Sequence, residues 1–170
     1  MLHGEKEERE AWKAAPLSDL VRHIVGSCHQ ECRVDMARLE TLVELISLEE
    51  QAPSPGLLEI RALIGKFCAG MRAHLALEER TLFPYILARE AGVEPGLTPE
   101  ALASLKKVLE GDHEAEAGLL RSIRDLTLGF AGETDPASAE GRIHAAMKVL
   151  SQRLQKHMYL ETHFLFPRTR

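Results

Sequence analysis

A histidine followed four residues later by a glutamate places an imidazole and a carboxylate on one face of a helix, where both can reach the same cation. The pattern alone is weak: with 8 His and 21 Glu in 170 residues, chance supplies about one match, and His3 with Glu7 in the charged start of the chain accounts for it. Two further matches carry more. His74-x3-Glu78-x3-Leu82-Phe83-Pro84 returns in the second half of the chain as His157-x3-Glu161-x3-Leu165-Phe166-Pro167, and two histidines without such a glutamate, His29 and His113, are separated by almost the same interval. The chain therefore carries an internal two-hairpin pseudo-repeat, each hairpin giving one lone His and one His/Glu pair.

Four imidazoles and two carboxylates are too many ligands for one tetrahedral zinc and too rich in nitrogen for calcium or magnesium. They suit two transition metals bridged by the carboxylates. Each metal would receive two His nitrogens and one oxygen from each of Glu78 and Glu161. An oxo or hydroxo bridge would add a fifth ligand and leave a position for a diatomic molecule, which points to redox-active iron. The candidate metal ligands are thus His29, His74, Glu78, His113, His157 and Glu161, and the expected cofactor is two iron ions.

Helices must position these groups. Turn residues cut the chain into four long segments whose apolar residues recur at steps of three and four, and no segment shows the period-two alternation of a strand. The spacing predicts helix starts at Ser18, at Ser54 with Pro55 in the first turn, at Thr98-Pro99-Glu100 and at Asp135-Pro136, with the first helix running to about Glu50. Val21, Val25, Cys28, Cys32, Met36, Leu39, Val43 and Ile46 form one stripe. In the last segment Ile143, Met147, Leu150, Leu154, His157, Glu161 and Phe164 form another. Narrow seams of this kind predict an all-α, up-down-up-down four-helix bundle over residues 17–170, preceded by a charged arm over 1–16 that is either frayed or an appended turn.

On this reading every helix brings a buried histidine to its seam, and burying carboxylates beside them costs several kcal/mol each unless a cation compensates. The heights agree across the first connection, where His29 and His74 stand almost equally far from the loop, with a mismatch of about 3 Å. The last connection fits less well. His113 lies closer to the end of its helix, near Leu128, than His157 lies to Pro136, unless the first turn of the last helix protrudes.

Other residues read as structural. His23, six positions before His29, points away from the seam, as do His144 and His163. Glu116 fits either a hydrogen bond to a ligand imidazole or a solvated seam edge. Cys28 and Cys32 read as buried thiols, and Pro84 and Pro167 as residues that kink or end helices beyond the site.

The formal charge of -5 argues against a nucleic-acid surface, aromatics at 5% leave little for base stacking, and no apolar run is long enough to span a bilayer. The start lacks the apolar region of a signal peptide, and three cysteines make no disulfide framework, so a cytoplasmic protein is expected. The segments His23-Ile24-Val25-x3-His29, His74-x3-Glu78-Glu79-x2-Leu82-Phe83-Pro84, Asp112-His113-Glu114-x2-Ala117-Gly118 and His157-x3-Glu161-x3-Leu165-Phe166-Pro167-Arg168 give the chain a clear likeness. It resembles the hemerythrin-like HHE cation-binding proteins, and among them the di-iron proteins that repair iron centres. The resemblance spans roughly residues 17–168 and implies a non-haem di-iron centre with the four histidines terminal and the two glutamates bridging. Residues 1–16 contain no cysteine, whereas those repair proteins usually carry a short N-terminal module with a pair, and Cys32 stands where they often have another His.

Three functions remain open at this point. One is a di-iron protein of the nitrosative or oxidative stress response that repairs iron-sulfur centres, with damaged iron-sulfur proteins as partners. The second is a module that binds or senses O₂ or NO without turnover. The third is a redox-silent divalent-metal binding protein.

Overall fold

The structure, a computed structural model, describes residues 9–49, 54–129 and 137–169. They form a short helix, α1, over residues 9–14 and four long ones. The first long helix, α2, joins Leu17–His23, a wide π-helical segment Ile24–His29 and Gln30–Glu49. Next, α3 joins Pro55–Leu77, a π segment Glu78–Leu82 and Phe83–Glu90. Helix α4 is Pro99–Gly129, and α5 joins Ala139–Leu160 to a π segment Glu161–Leu165. Consecutive long helices pack side by side and α2 closes the ring against α5, giving an all-α bundle with no strand among the described residues.

Local chemistry sets most of the ends. Ser54 accepts from the Leu57 N–H at 3.2 Å with Pro55 at the first helical position, and Thr98 accepts from the Ala101 N–H at 3.2 Å. Helix α3 stops in a Schellman arrangement. Gly92 takes φ 69°, and the Val93 N–H returns to the Ala88 carbonyl at 2.9 Å.

Two predicted starts are corrected. Ser18 does not cap α2. The helix begins at Leu17, and its first N–H groups are received by the carboxylate of Glu90 from the end of α3, Leu17 at 2.5 Å and Ser18 at 2.8 Å. The start placed at Asp135-Pro136 falls outside the described residues, and α5 begins at Ala139 behind Ser138, whose hydroxyl accepts from the Gly141 N–H at 3.0 Å. This later start brings His157 nearer to the head of α5. It then stands only slightly farther from that head than His113 does from the end of α4, which removes most of the height mismatch.

Of the two roles expected for Pro84, ending the helix does not apply, because α3 runs through it to Glu90. The widening at Glu78–Leu82, where the Phe83 N–H reaches the Glu78 carbonyl, lies just before Pro84, which has no N–H of its own to continue the ladder. After the equivalent segment in α5, with the Phe166 N–H on the Glu161 carbonyl at 2.8 Å, the helix does end, and a turn holding Pro167 follows.

The expected arm is partly described: Trp12 of α1 stacks on His23 with ring centroids 4.8 Å apart, and Arg168 donates to the carbonyls of Trp12 and Ala15 at 2.9 and 2.6 Å.

The core divides into two apolar blocks. One, between the mid-sections of the long helices, contains Met36, Phe67, Met71, Ile123 and Leu150. The other, at the opposite end, contains Leu20, Ile24, Phe83, Leu109 and Phe164. Between them lies a layer of polar side chains. Each long helix passes from one block to the other through it: His29 follows Cys28 and precedes Cys32, and His157 lies between Leu154 and Leu160. Among the described residues no helix is long and apolar enough to cross a membrane.

Candidate metal centre

The six candidate ligands meet in that layer. His29, His74, His157, Glu78 and Glu161 are almost fully buried and His113 is 8% exposed. His29 comes from the last position of the π segment in α2, whereas Glu78 and Glu161 open those of α3 and α5. A π turn takes one residue more than an α turn, so it shifts the angular phase of the residues beyond it relative to a uniform 3.6-residue helix, while the i, i+4 pairs His74/Glu78 and His157/Glu161 share a face by ordinary helix geometry.

The donors fall into two groups that share both glutamates. In one, His29, His157, Glu78 and Glu161 each offer an atom within 4.8 Å of the others; in the second, His74 and His113 replace the two histidines. His29 Nε2 is 3.2 Å from His157 Nε2 and 3.3 Å from Glu78 Oε2, and His157 Nε2 is 2.7 Å from Glu161 Oε1. In the other half His113 Nε2 is 3.2 Å from His74 Nε2 and 3.1 Å from Glu161 Oε2, and His74 Nε2 is 3.5 Å from Glu78 Oε2. Glu161 turns one oxygen to each half, whereas Glu78 meets both halves through Oε2.

This donor set fits a pair of cations. Ligand atoms bonded at about 2.1 Å to one ion and at right angles lie about 3 Å apart, the scale of the spacings here. Both carboxylate oxygens of Glu78 are buried without a hydrogen-bond partner, which is costly unless a positive charge faces them. The imidazoles are oriented for the same purpose. His29 donates from Nδ1 to Glu79 Oε1 at 2.6 Å, and His74 Nδ1 faces Asp112 Oδ2 at 3.5 Å, which leaves each Nε2 with its lone pair inward.

Electrostatics follow from burial. It lowers the pKa of His29 to about 4, with repulsion from His157 adding to it, and lowers that of His74 to about 4 as well. Both rings are therefore neutral and able to bind metal at pH 7. Glu78 is pushed well above the ordinary carboxylate range by burial and by Glu161 beside it. Burial opposes the charge on Glu161 too, but His157 and His113 hold its carboxyl low. The metal-free pair thus keeps a proton on Glu78 and a charge on Glu161. Glu79 also stays below its usual range despite burial, through the hydrogen bonds from His29 and Arg33.

The remaining sequence expectations can be placed. His23 packs against Trp12 away from the layer, His163 is exposed and stacked on Tyr159 at 4.2 Å, and His144 faces the Thr127 hydroxyl at 3.2 Å. Cys28, Cys32 and Cys68 are buried free thiols, and burial raises them to about 11, 12 and 12, leaving them poor nucleophiles. Glu116 fits neither expectation: it is 4% exposed, so it is no solvated edge, and both its oxygens lack a hydrogen-bond partner. Sequence reasoning assigned no role to Glu79, Asp112 or Arg33. Their signal was position, since Glu79 follows Glu78, Asp112 precedes His113 and Arg33 lies one turn beyond His29.

Comparison with known proteins agrees with this geometry. A family model described as the hemerythrin HHE cation binding domain matches residues 20–169. Among characterised proteins the chain is similar to the iron-sulfur cluster repair protein YtfE of Musicola paradisiaca, 26% identical over 98% of this chain and 72% of the relative. The protein of the same name from Cronobacter sakazakii is 26% identical over 92% and 67%, and that of Escherichia coli 24% identical over 97% and 71%.

Proposed function

Because the chain belongs to the hemerythrin HHE cation-binding domain family, we propose that it holds two iron ions and serves in the repair of iron-sulfur centres under nitrosative or oxidative stress. His29 and His157 would hold one ion, His74 and His113 the other, with Glu78 and Glu161 bridging. Bound iron would supply redox chemistry and affinity for small ligands such as O₂ or NO. The observation that carries this reading is the sharing of both glutamates by two four-donor groups. A single structural ion needs one such group, and a second buried His pair on the same carboxylates would otherwise be costly to keep. The work of the chain's own side chains is to keep the His29 and His74 imidazoles neutral, to aim their Nε2 at the axis through Glu79 and Asp112, and to exclude bulk water with the two apolar blocks above and below. Repair is favoured over gas binding without turnover because the similar characterised proteins bear that name.

Metal analysis of protein purified aerobically should give about two iron atoms per chain, and His74→Ala and His157→Ala should each lower that figure. One ion per chain, or zinc with no capacity for iron, overturns the di-iron reading. Reduced protein mixed with a cluster-damaged enzyme should restore its activity faster than an equal concentration of free ferrous iron. Reversible NO binding with no iron transferred over hours would instead make this a gas-binding module.

A further inference from the structure

The two halves of the candidate centre are not built alike, and the difference lies behind the imidazoles. In the first half, His29 is fully enclosed, its ring packs 5.5 Å from that of Phe83, and its Nδ1 donates to Glu79 Oε1 at 2.6 Å. The same oxygen receives Arg33 at 2.8 Å. Arg33 and His29 lie on α2 one turn apart, and Glu79 comes from α3, so the ring is held through two hydrogen bonds that also tie the helices together. His157 in this half makes no hydrogen bond through Nδ1, so the outer hold is that of His29 alone.

The second half is looser. His74 Nδ1 and Asp112 Oδ2 are 3.5 Å apart, at the limit of a hydrogen bond, and the Asp112 side chain is 41% exposed. The side chain of His113 is 10% exposed where those of the other three histidines are 0–2%. Its ring stacks on Phe166 at 6.1 Å, against the turn that ends α5. Solvent therefore reaches this half first, and less fixes its ligands.

Resting on the di-iron reading above, we infer that Glu79 and Arg33 act as positioning residues that retain the ion at His29 and His157, and that the ion at His74 and His113 is the exchangeable one. A protein that gives up iron would then release one ion and keep the other, and the retained ion would hold the bundle in shape for reloading. Outer partners of ligand histidines commonly change metal affinity by about 10–100-fold when removed, and the clamp on His29 is the stronger of the two seen here.

The test uses the full chain loaded with two ferrous ions and challenged with excess ferrous chelator, with loss followed in time. Wild type should release one iron quickly and the second at least about tenfold more slowly. Glu79→Ala should speed the slow phase about 10–100-fold and leave the fast one, and Asp112→Ala should act on the fast phase alone. Loss of both ions at one rate, or Glu79→Ala acting on the fast phase, overturns the inference. A chain that loads fewer than two irons fails before chelation and defeats the reading beneath it. A readout without metal remains in that case: nitrogen NMR of metal-free protein should find His29 protonated at Nδ1 in wild type and no longer fixed there in Glu79→Ala. An unchanged tautomer overturns the positioning role.

Discussion

Glu116 is a carboxylic acid with little reason to ionise. It lies one turn beyond His113 on α4 and faces Gly70 of α3, with its Oε1 3.7 Å from where a Cβ would stand, an ordinary packing distance. Burial raises its pKa to about 8, with Asp112 and Glu161 adding to the effect. A folded-state pKa above the unfolded 4.5 means that its contribution is full below pH 4.5 and is lost as pH rises through 8, by at most about 1.4 kcal/mol per pH unit. Glu116→Gln keeps the shape and cannot ionise. In metal-free protein its stability relative to wild type should therefore grow between pH 5 and 8, measured by urea unfolding. A difference independent of pH would mean that Glu116 is ionised in the fold. That Glu116 lies on the seam was readable from its spacing after His113. That it keeps both oxygens unpartnered was not, because that depends on which groups the other helices bring beside it.

At the scale of elements, the long helices owe their ends to two kinds of signal. Ser54, Thr98 and Ser138 cap within their own sequence neighbourhood, and the first two were legible for that reason. The head of α2 has no such residue. Pro16 precedes it without a side-chain cap, and Glu90, far away in sequence, accepts from its first two N–H groups. Only the tertiary fold brings that carboxylate there, so Ser18 was the natural local choice and the wrong one. Glu90→Ala should cost about 1–2 kcal/mol and fray α2 towards His23, seen as lower melting temperature and faster amide exchange at Leu17–His23. No loss of stability would place the support of this end elsewhere. The π segments were equally invisible to periodicity, although Pro84 and Pro167, six residues after Glu78 and Glu161, lie just beyond two of them.

On the scale of the molecule, a titratable polar layer sits between two apolar blocks, and without metal its groups pull stability in opposite directions with pH. His29 and His74, about 4 in the fold and 6.5 unfolded, stay neutral inside while the unfolded chain takes up protons. Stability is therefore lost as pH falls from 6.5 through 4, by up to about 3 kcal/mol for each ring. Glu78 and Glu116, raised by burial, act the other way and lose their contribution as pH rises above 4.5. The two windows overlap, so metal-free protein should be most stable at a mildly acid pH, between 4.5 and 6.5. Metal reverses the alkaline limb at Glu78. A cation favours the carboxylate over the acid, and loading must release the proton that Glu78 keeps, so binding strengthens as pH rises through that release. Melting temperatures measured against pH should accordingly peak at a higher pH in iron-loaded than in metal-free protein, with the widest gap above pH 7. Two curves that superimpose would mean that the layer carries no ion that matters to the fold, and the stability of the bundle would then rest on its apolar blocks alone.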